Sequence, residues 1–500
     1  MVERLEGAGL LLGRQPLSQS VRVHERCDTP VEHIVLPQWF IRVLDHKNEL
    51  LEAGERITWH PEHMKARYRQ WVENLSWDWC ISRQRYFGVP FPLWYCADCG
   101  EVLLADESQL PVDPLDSRPP HPCSCGCDAV RPETDVMDTW ATSSLTPQIV
   151  GRYLADPALF ERVFPMSLRP QAHEIIRTWA FYTIVKSLYH FGRLPWSEVA
   201  ISGWALAPEG TGKISKSRGG GPMAPHVMVE RYSADATRYW AASTGLGRDA
   251  VISEEKVQTG AKLITKLWNV ARFCEPFLEE YVPGATALAV ADRWLLSGLQ
   301  RLVAGVTRQM RAYDYAAAKA DTEAFFWNVL TDNYMEMAKQ RLYAEAGPER
   351  DGARFALYDT LLAILKLLAP FLPHVTEEIY REVYWPTQGR GSIHRSAWPL
   401  AEECLVDEDA EAAGEALLDI ATAVRRYKSE RNLPLRTELA RIEVTVPGGA
   451  LATALCQATP DIVSVTRARS VAVRAATQAD GTPMPEPTEV RVSILADEED

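Results

Sequence analysis

The stretch GTGKISKSRGGGP, residues 210 to 222, carries the side chains best suited to chemistry on a charged substrate. Lys213 and Lys216 stand three positions apart, Ser215 and Ser217 lie beside them, and glycines flank the segment on both sides. A glycine-rich backbone can approach a ligand closely, and two ammonium groups can neutralise charge that develops on a triphosphate. Lysine and serine are equally common on solvated surface loops, so the segment alone also fits a loop without such a role.

A second group with chemical potential is a cluster of cysteines. Five of the ten cysteines fall within one short segment, at Cys96, Cys99, Cys123, Cys125 and Cys127. The CADCG pair can bind one tetrahedral metal ion, and CSCGC supplies further thiols, although its spacing leaves open which two of the three bind. The clustering favours a structural Zn²⁺ site in a reducing compartment over a disulfide framework, with free buried cysteines as the alternative. Four sulfur ligands would leave no open position for catalysis.

Composition and charge limit the classes of protein that this chain can belong to. Hydrophobic residues make up 46% and charged residues 24% of the 500, which is typical of folded globular proteins. The net charge of −14 argues against coating nucleic acid by bulk electrostatics, but it leaves room for a local basic patch facing one structured RNA. Neither a secretory signal at the start nor an apolar run of about 20 residues is visible, so we expect a cytoplasmic location and no membrane partner.

The sequence predicts several structural units that position these side chains. Shifts in composition divide it into a strand-like segment at 1–60, a Cys- and Pro-rich module at 61–130, an α/β segment at 131–253, a helical bundle at 254–405 and a small α+β tail at 406–500. The predicted fold class is therefore α/β plus all-α. The tail opens with a helix over 408–432 that ends in Arg425, Arg426, Lys428 and Arg431.

The α/β segment is the unit that would carry the lysine loop. Strand-like runs such as WSEVAISGWAL alternate there with helical runs such as AHEIIRTWAFYTIVKSLYHF, which predicts a sheet of parallel strands. The lysine loop follows one of these strands. It should therefore lie beyond the carboxyl end of a strand, where open α/β sheets bind their ligands.

Six motifs in one order make the sequence resemble a known family. WCISRQRYFGVPFPLWYC, DVMDTWATSSLTPQ, RPQAHEIIRTWAFYT, GKISKSRGGG, YSADATRYWAA and KLWNVARFC follow one another along the chain. Together they resemble the class I aminoacyl-tRNA synthetases, and within that class the valyl-tRNA synthetases, from about residue 1 to 440. The family form of the loop is KMSKS, and Ile214 in place of Met is a mild apolar exchange.

The resemblance implies an activity and a role for the loop. The activity is that of a valine–tRNA ligase, with valine, tRNA(Val) and ATP with Mg²⁺ as substrates. Lys213 and Lys216 would bind the ATP phosphates and stabilise the leaving pyrophosphate, with Ser215 and Ser217 as hydrogen-bonding supports. His173 would lie near the nucleotide, although Ala172 stands where the family usually has glycine and a lone histidine is as often structural.

The resemblance also implies an amino-acid pocket. Trp140 would form its wall, Asp135 and Asp138 would organise the adjacent strand end, and Ile176 and Trp179 would lie nearby. A packed indole rejects larger side chains because it cannot yield at low cost. The alternative for Trp140 is a plain core residue, since the chain has 16 tryptophans.

Contacts with tRNA and the identity of each unit follow from the same resemblance. Arg83 and Arg85 would face phosphates of the acceptor end, with a solvated or ion-paired arginine as the alternative. Residues 1–60 resemble the end of an editing or connective domain, 61–130 a connective module with a zinc knuckle, 131–253 the C-terminal half of a Rossmann-like catalytic domain and 254–405 an anticodon-binding domain.

One family motif is missing from the sequence. The catalytic core of the family uses a HIGH motif, and the nearest histidine-rich piece, HPEH at 60–63, stands in the wrong place. We therefore expect that the chain starts further upstream, that a second chain supplies the HIGH-containing half, or that the chain is a remnant. We also expect that this chain cannot edit alone. A non-catalytic tRNA-binding protein and a metal-stabilised interaction module are the alternative functions.

Overall fold

A computed structural model describes residues 2–24, 27–206, 224–279, 281–282, 284, 286–446, 448–476 and 491–495. The four predicted loop residues Lys213, Ser215, Lys216 and Ser217 lie outside the described residues. Their roles stay predictions.

A parallel sheet lies at the centre of the α/β segment. Its three strands stand in the order Met166–Ala172, Trp196–Ser202 and Thr58–His60, and both pairings are parallel. Helix Phe181–Phe191 forms the crossover that a parallel pair needs between its first two strands. The predicted layer of parallel strands is therefore confirmed.

The core of this unit explains why its helices lie close to the sheet. Helices Lys47–Arg56 and Lys65–Glu73 pack on the same buried cluster as the middle strand. A Cβ at Gly54 would stand 2.4 Å from the ring of Tyr68, so glycine is what lets these two helices approach each other. The Tyr68 hydroxyl donates to the carbonyl of Leu50 at 2.9 Å and fixes this contact.

The prediction of strands over residues 1–60 is wrong for most of that segment. Up to residue 41 its described part contains helix Val2–Gly7, an isolated bridge between Val23 and Pro30, and the two-residue strand Phe40–Ile41; helix Lys47–Arg56 and strand Thr58–His60 follow and belong to the unit of the parallel sheet. Apolar residues of the alternating pattern are exposed, as at Val23 (47%) and Val35 (99%). Alternation produces a stable strand only where a partner strand and a core receive it, and among the described residues the run before Phe40 pairs only in the bridge between Val23 and Pro30.

Short elements surround the central sheet. In one antiparallel sheet, Ser82–Arg83 and Val89–Pro90 lie on either side of Val136–Met137. In a second, Val102–Leu104 and Val130–Pro132 lie on either side of Leu93–Cys96. Phe40–Ile41 pairs antiparallel with Trp79–Cys80. Ala205–Leu206 pairs in parallel with Ala250–Val251. The short helices are Thr139–Ser143, Thr146–Val150, Pro157–Val163, Pro225–Tyr232 and Ala234–Ala241.

The predicted helical bundle is confirmed beyond residue 254. Its helices are Glu254–Leu278, Val290–Arg311, Tyr315–Ala324, the π-helical Phe325–Tyr334, Met335–Leu342, Pro348–Leu368 and Pro373–Gln388. Helix Glu408–Glu430 packs against Val290–Arg311 and shares the same core. Apolar residues at three- and four-residue spacing thus form one continuous buried interior.

The tail forms an α+β module, as predicted. Strand Leu439–Val446 pairs in parallel with Ala468–Ala475 and antiparallel with Arg491–Leu495. Helices Gly449–Gln457 and Thr459–Thr466, which were not predicted, connect the parallel pair. In the described part of the chain, no helix combines the length and the apolar character needed to cross a bilayer.

Candidate functional site

The carboxyl edge of the parallel sheet is where the predicted site residues begin. Ala172 and Ser202 are register partners at the ends of neighbouring strands, and His173 follows directly. The imidazole of His173 lies 4.7 Å from the ring of Trp204, and its Nε2 is 3.7 Å from a carboxylate oxygen of Asp249. His173 therefore stands at the predicted edge, in contact with protein groups that also suit a structural role.

The strand that precedes the lysine loop is placed as the sequence predicts. Trp196–Ser202 continues through Gly203 into Ala205–Leu206, after which residues 207–223 lie outside the described part. A Cβ at Gly203 would stand 2.2 Å from the backbone oxygen of Arg248, so only glycine lets the chain pass at this point. The last described residues before the loop therefore follow the carboxyl end of a sheet strand.

Three residues predicted for the amino-acid pocket lie close together. Ile176 and Trp179 stand on a π-helical turn, Ile176–Ala180, and Trp140 stands on helix Thr139–Ser143. The indole N–H of Trp179 donates to the carbonyl of Ser143 at 3.2 Å, and Trp140 packs on the core that buries Ile176. Single π-helical turns occur frequently at functional sites.

Arg169 opens the motif RPQAHEIIRTWAFYT, but it was assigned no role from the sequence. Its guanidinium carbon lies 3.2 Å from the ring centroid of Trp179 and 5.1 Å from that of Trp196. Burial lowers the pKa of Arg169 to about 10, and its Nε has no hydrogen-bond partner among the described residues. Its signal in the sequence was its place at the start of that motif, whereas its burial was not predictable because a charged residue usually occupies an exposed position.

The two predicted aspartates flank strand Val136–Met137. Asp138 is 5% exposed, and one of its oxygens lies 3.5 Å from the guanidinium of Arg83. Its other oxygen is buried and has no partner among the described residues. Asp135 accepts a hydrogen bond of 2.7 Å from the side chain of Gln84. Both acids therefore connect this strand to the segment that carries the predicted tRNA-binding arginines.

Those two arginines differ in their surroundings. Arg83 donates to the backbone carbonyls of Cys80 at 3.2 Å and Ser82 at 2.7 Å, besides its contact with Asp138. Arg85 is exposed and precedes an aromatic pair, Tyr86 and Phe87, whose exposures are 93% and 83%. Arg83 is therefore engaged in contacts within the protein, whereas Arg85 faces solvent.

Four of the five clustered cysteines come together as one group. The ligand atoms of Cys96, Cys99, Cys123 and Cys125 all lie within 4.8 Å of one another, and the closest pairs are 3.3 and 3.6 Å apart. Zn–S bonds of about 2.3 Å in a tetrahedron separate sulfurs by about 3.8 Å, so the group fits zinc. The thiol of Cys127 instead faces the carbonyl of Ala129 at 3.7 Å and lies outside the group.

Two glycine turns shape the cysteine cluster, and neighbouring groups shift the pKa values of its thiols. Gly100 (φ 76°) and Gly126 (φ 83°) adopt the left-handed conformation at the two turns that present the thiols. Backbone N–H groups of Cys99 and Asp98 lower the pKa of the Cys96 thiol to about 6. The Glu101 carboxylate, which accepts from Cys123 at 2.9 Å, raises the pKa of that thiol. A metal cation bound among the four sulfurs would lower the pKa of the Cys123 thiol and so oppose the effect of the Glu101 carboxylate.

Family models match most of the chain. Residues 22–253 match the model described as tRNA synthetases class I (I, L, M and V), and residues 292–444 match the anticodon-binding domain of tRNA ligase. Two solved structures share the fold at low identity. LeuRS of Agrobacterium radiobacter K84 is 22% identical with a TM-score of 0.53, and the match covers 66% of this chain and 43% of that one. Methionyl-tRNA synthetase of Mycobacterium tuberculosis is 19% identical with a TM-score of 0.52, and the match covers 72% of this chain and 65% of that one. Over these two ranges the chain is thus similar to the class I tRNA synthetases.

Curated relatives of this chain belong to one group of enzymes within this class. Valine–tRNA ligase of Anaplasma marginale is 45% identical over 460 residues, which are 90% of this chain and 54% of that protein. The corresponding enzyme of Methanosarcina mazei is 42% identical over 451 residues, 89% of this chain and 50% of that protein. Within its class, the chain is thus related to the valine–tRNA ligases, and it spans about half the length of these relatives.

Proposed function

We propose that this chain takes part in the ATP-dependent attachment of valine to tRNA(Val). The observation that carries the proposal is the 45% identity to a valine–tRNA ligase over 90% of the chain. Proximity of Trp140, Ile176 and Trp179 near the carboxyl edge of the sheet supports it. Because ATP and charged tRNA serve protein synthesis, we propose the cytoplasm as the location.

In the proposed first step, the valine carboxylate attacks the α-phosphorus of ATP and pyrophosphate leaves. Valine is its own nucleophile, so the protein must position the reactants and stabilise negative charge. Lys213 and Lys216 supply that charge from a loop that closes over ATP, and Ser215 and Ser217 support it by hydrogen bonds. His173 borders the nucleotide. A terminal hydroxyl of tRNA then attacks the valyl carbonyl and AMP leaves.

Selection of valine rests on the apolar walls of the pocket. Trp140, with Ile176 and Trp179, excludes side chains larger than valine, because tightly packed indoles resist displacement. An apolar pocket distinguishes threonine, which has the same shape, only modestly. Asp135 and Asp138 hold the strand end beside this pocket.

The proposed partners follow the same division of the chain. The bundle at 254–405 contacts the anticodon arm, and Arg83 and Arg85 lie toward the acceptor end, with Arg85 as the more accessible phosphate contact. A polypeptide with a HIGH segment is a further proposed partner, since residues 1–500 contain none. Cys96, Cys99, Cys123 and Cys125 hold a structural Zn²⁺, which orders the connective module.

Transfer of radiolabelled valine to a tRNA(Val) transcript tests this function. The purified chain is assayed alone and together with a HIGH-containing fragment of a valine–tRNA ligase. We expect valine, and not isoleucine, to be attached to tRNA in at least the combined mixture. Binding of tRNA(Val) without charging in either mixture would favour the non-catalytic alternative.

A further inference from the structure

A groove runs between the helical bundle and the C-terminal α+β module. It consists of two cavities of about 550 and 700 Å³ that share Ser464 and Arg467 in their walls. Bundle helices line one side, and the module's helix Thr459–Thr466 with its neighbouring loops lines the other. We call this surface the junction groove.

The charge of the junction groove is opposite to that of the whole chain. Its cationic side chains include Lys266, Lys339, Arg425, Arg436, Arg467 and Arg469, whereas its acidic ones are Asp332, Glu336 and Glu438. A protein of net charge −14 would more often line a groove with acids. The local excess of positive charge therefore requires an explanation.

The acids of the groove do not neutralise this excess. Glu336 pairs with Lys339, and Glu438 pairs with Arg469 at 3.3 Å. Among the described residues, Lys266, Arg436 and Arg467 form no ion pair, and the Lys266 ammonium lies 5.3 Å from the ring centroid of Trp327. Three cationic groups thus face the groove without a carboxylate partner.

A buried lysine holds the two loops that present these arginines. Lys428 is 1% exposed, and its ammonium donates to the carbonyl of Leu435 at 2.9 Å and to that of Thr466 at 3.0 Å. Each carbonyl immediately precedes one of the exposed arginines, Arg436 and Arg467. The basic end of helix Glu408–Glu430 therefore holds together the two backbone segments from which Arg436 and Arg467 project, which lowers the entropy lost when both bind one ligand.

We propose that the junction groove binds the phosphate backbone of RNA. The inference rests on the proposed function, which makes a tRNA the partner. Guanidinium groups match phosphate oxygens in a two-pronged geometry, and an open groove suits a continuous backbone better than a small anion. Tyr343, which is 70% exposed in one wall, offers a stacking surface for an unpaired base. The module's helices lie beyond residue 444, where the match to the anticodon-binding model ends.

Salt-dependent binding of tRNA to the full chain tests the groove. In the R436Q/R467Q variant, loss of two phosphate contacts should reduce the slope of log K against log salt by about 1.4 to 1.8, because each contact contributes about 0.7 to 0.9. The reduction should be equal for tRNA(Val) and an unrelated tRNA, since phosphate contacts carry no sequence information. The control variant R162Q/R390Q, which changes two exposed arginines outside the groove, should keep the slope of the unmodified chain.

The possible outcomes separate the two proposals. If the unmodified chain binds tRNA and R436Q/R467Q keeps its slope while it remains folded by circular dichroism, the groove proposal is wrong and the proposed function stands. A loss restricted to tRNA(Val) would also contradict backbone recognition. If the unmodified chain binds neither tRNA, both proposals fail.

Discussion

The sulfurs of Cys96 and Cys125 are 3.6 Å apart although 29 positions separate them in the chain. Sequence spacing showed that a metal site was feasible, but it could not choose among Cys123, Cys125 and Cys127. Cys123 and Cys125 join the group from a turn that the Gly126 N–H closes on the Cys123 carbonyl at 2.8 Å, whereas Cys127 follows the left-handed Gly126. Arg169 was missed for a related reason, because its burial arises from indoles that the fold brings to it.

Zinc content distinguishes the cysteines of this cluster. The unmodified chain and C127S should each hold about one zinc ion after reducing purification, whereas C99S should lose it, because a tetrahedral site needs four ligands. Elemental analysis with thiol titration provides the measurement. Loss of zinc in C127S with retention in C99S would show that the ligand set is different.

The elements at the sheet edge were predicted well where a pattern continued for a whole element. Strand Trp196–Ser202 and helix Phe181–Phe191 follow from apolar periodicity, and so do the bundle helices. Within the segment at 1–60, the run before Phe40 failed because, among the described residues, its alternation pairs only in the isolated bridge between Val23 and Pro30. Periodicity indicates which face is apolar, but only neighbouring elements determine whether that face is buried.

The close approach of Gly203 to the backbone of Arg248 can be tested by substitution. G203A places a Cβ against the backbone of Arg248, which cannot yield as a flexible side chain would, so we expect a loss of about 1–3 kcal/mol in the free energy of unfolding. Gly245 provides the control, because a Cβ there meets nothing within 4 Å, and G245A should change stability by less than about 0.5 kcal/mol. Urea unfolding measures both, and equal effects would contradict the close approach at Gly203.

In the whole molecule, a buried ion-pair network joins the C-terminal module to the bundle. The guanidinium of Arg341 contacts Asp292 at 2.7 Å and Asp461 at 2.8 Å, and all three side chains are at most 3% exposed. Tyr334 donates to Asp292 at 2.7 Å from the same interior. The bundle and the module, which present the two sides of the junction groove, are therefore held together by charge as well as by their shared core.

Removal of this arginine should affect stability far more than removal of a surface partner. R341L leaves two buried carboxylates without a cation, so we expect a loss of about 3–5 kcal/mol in the free energy of unfolding. R293L breaks the partly exposed pair with Asp407, for which about 1 kcal/mol or less is expected. Thermal and urea unfolding measure both variants. Similar losses would contradict the role of the buried network.

Valine-dependent exchange of pyrophosphate into ATP tests the central claim most directly, because it reports formation of the adenylate without tRNA. It is measured on the chain with its HIGH-containing partner fragment, and on K213A/K216A beside the control K262A, whose lysine lies on an exposed helix position outside the loop. We predict that valine stimulates the exchange and that isoleucine does not. The exchange rate should fall at least about 100-fold in K213A/K216A, because preorganised positive charge at the transition state is lost, and it should be unchanged in K262A. Exchange that is absent with valine, or that survives loss of both lysines, would contradict the proposed function.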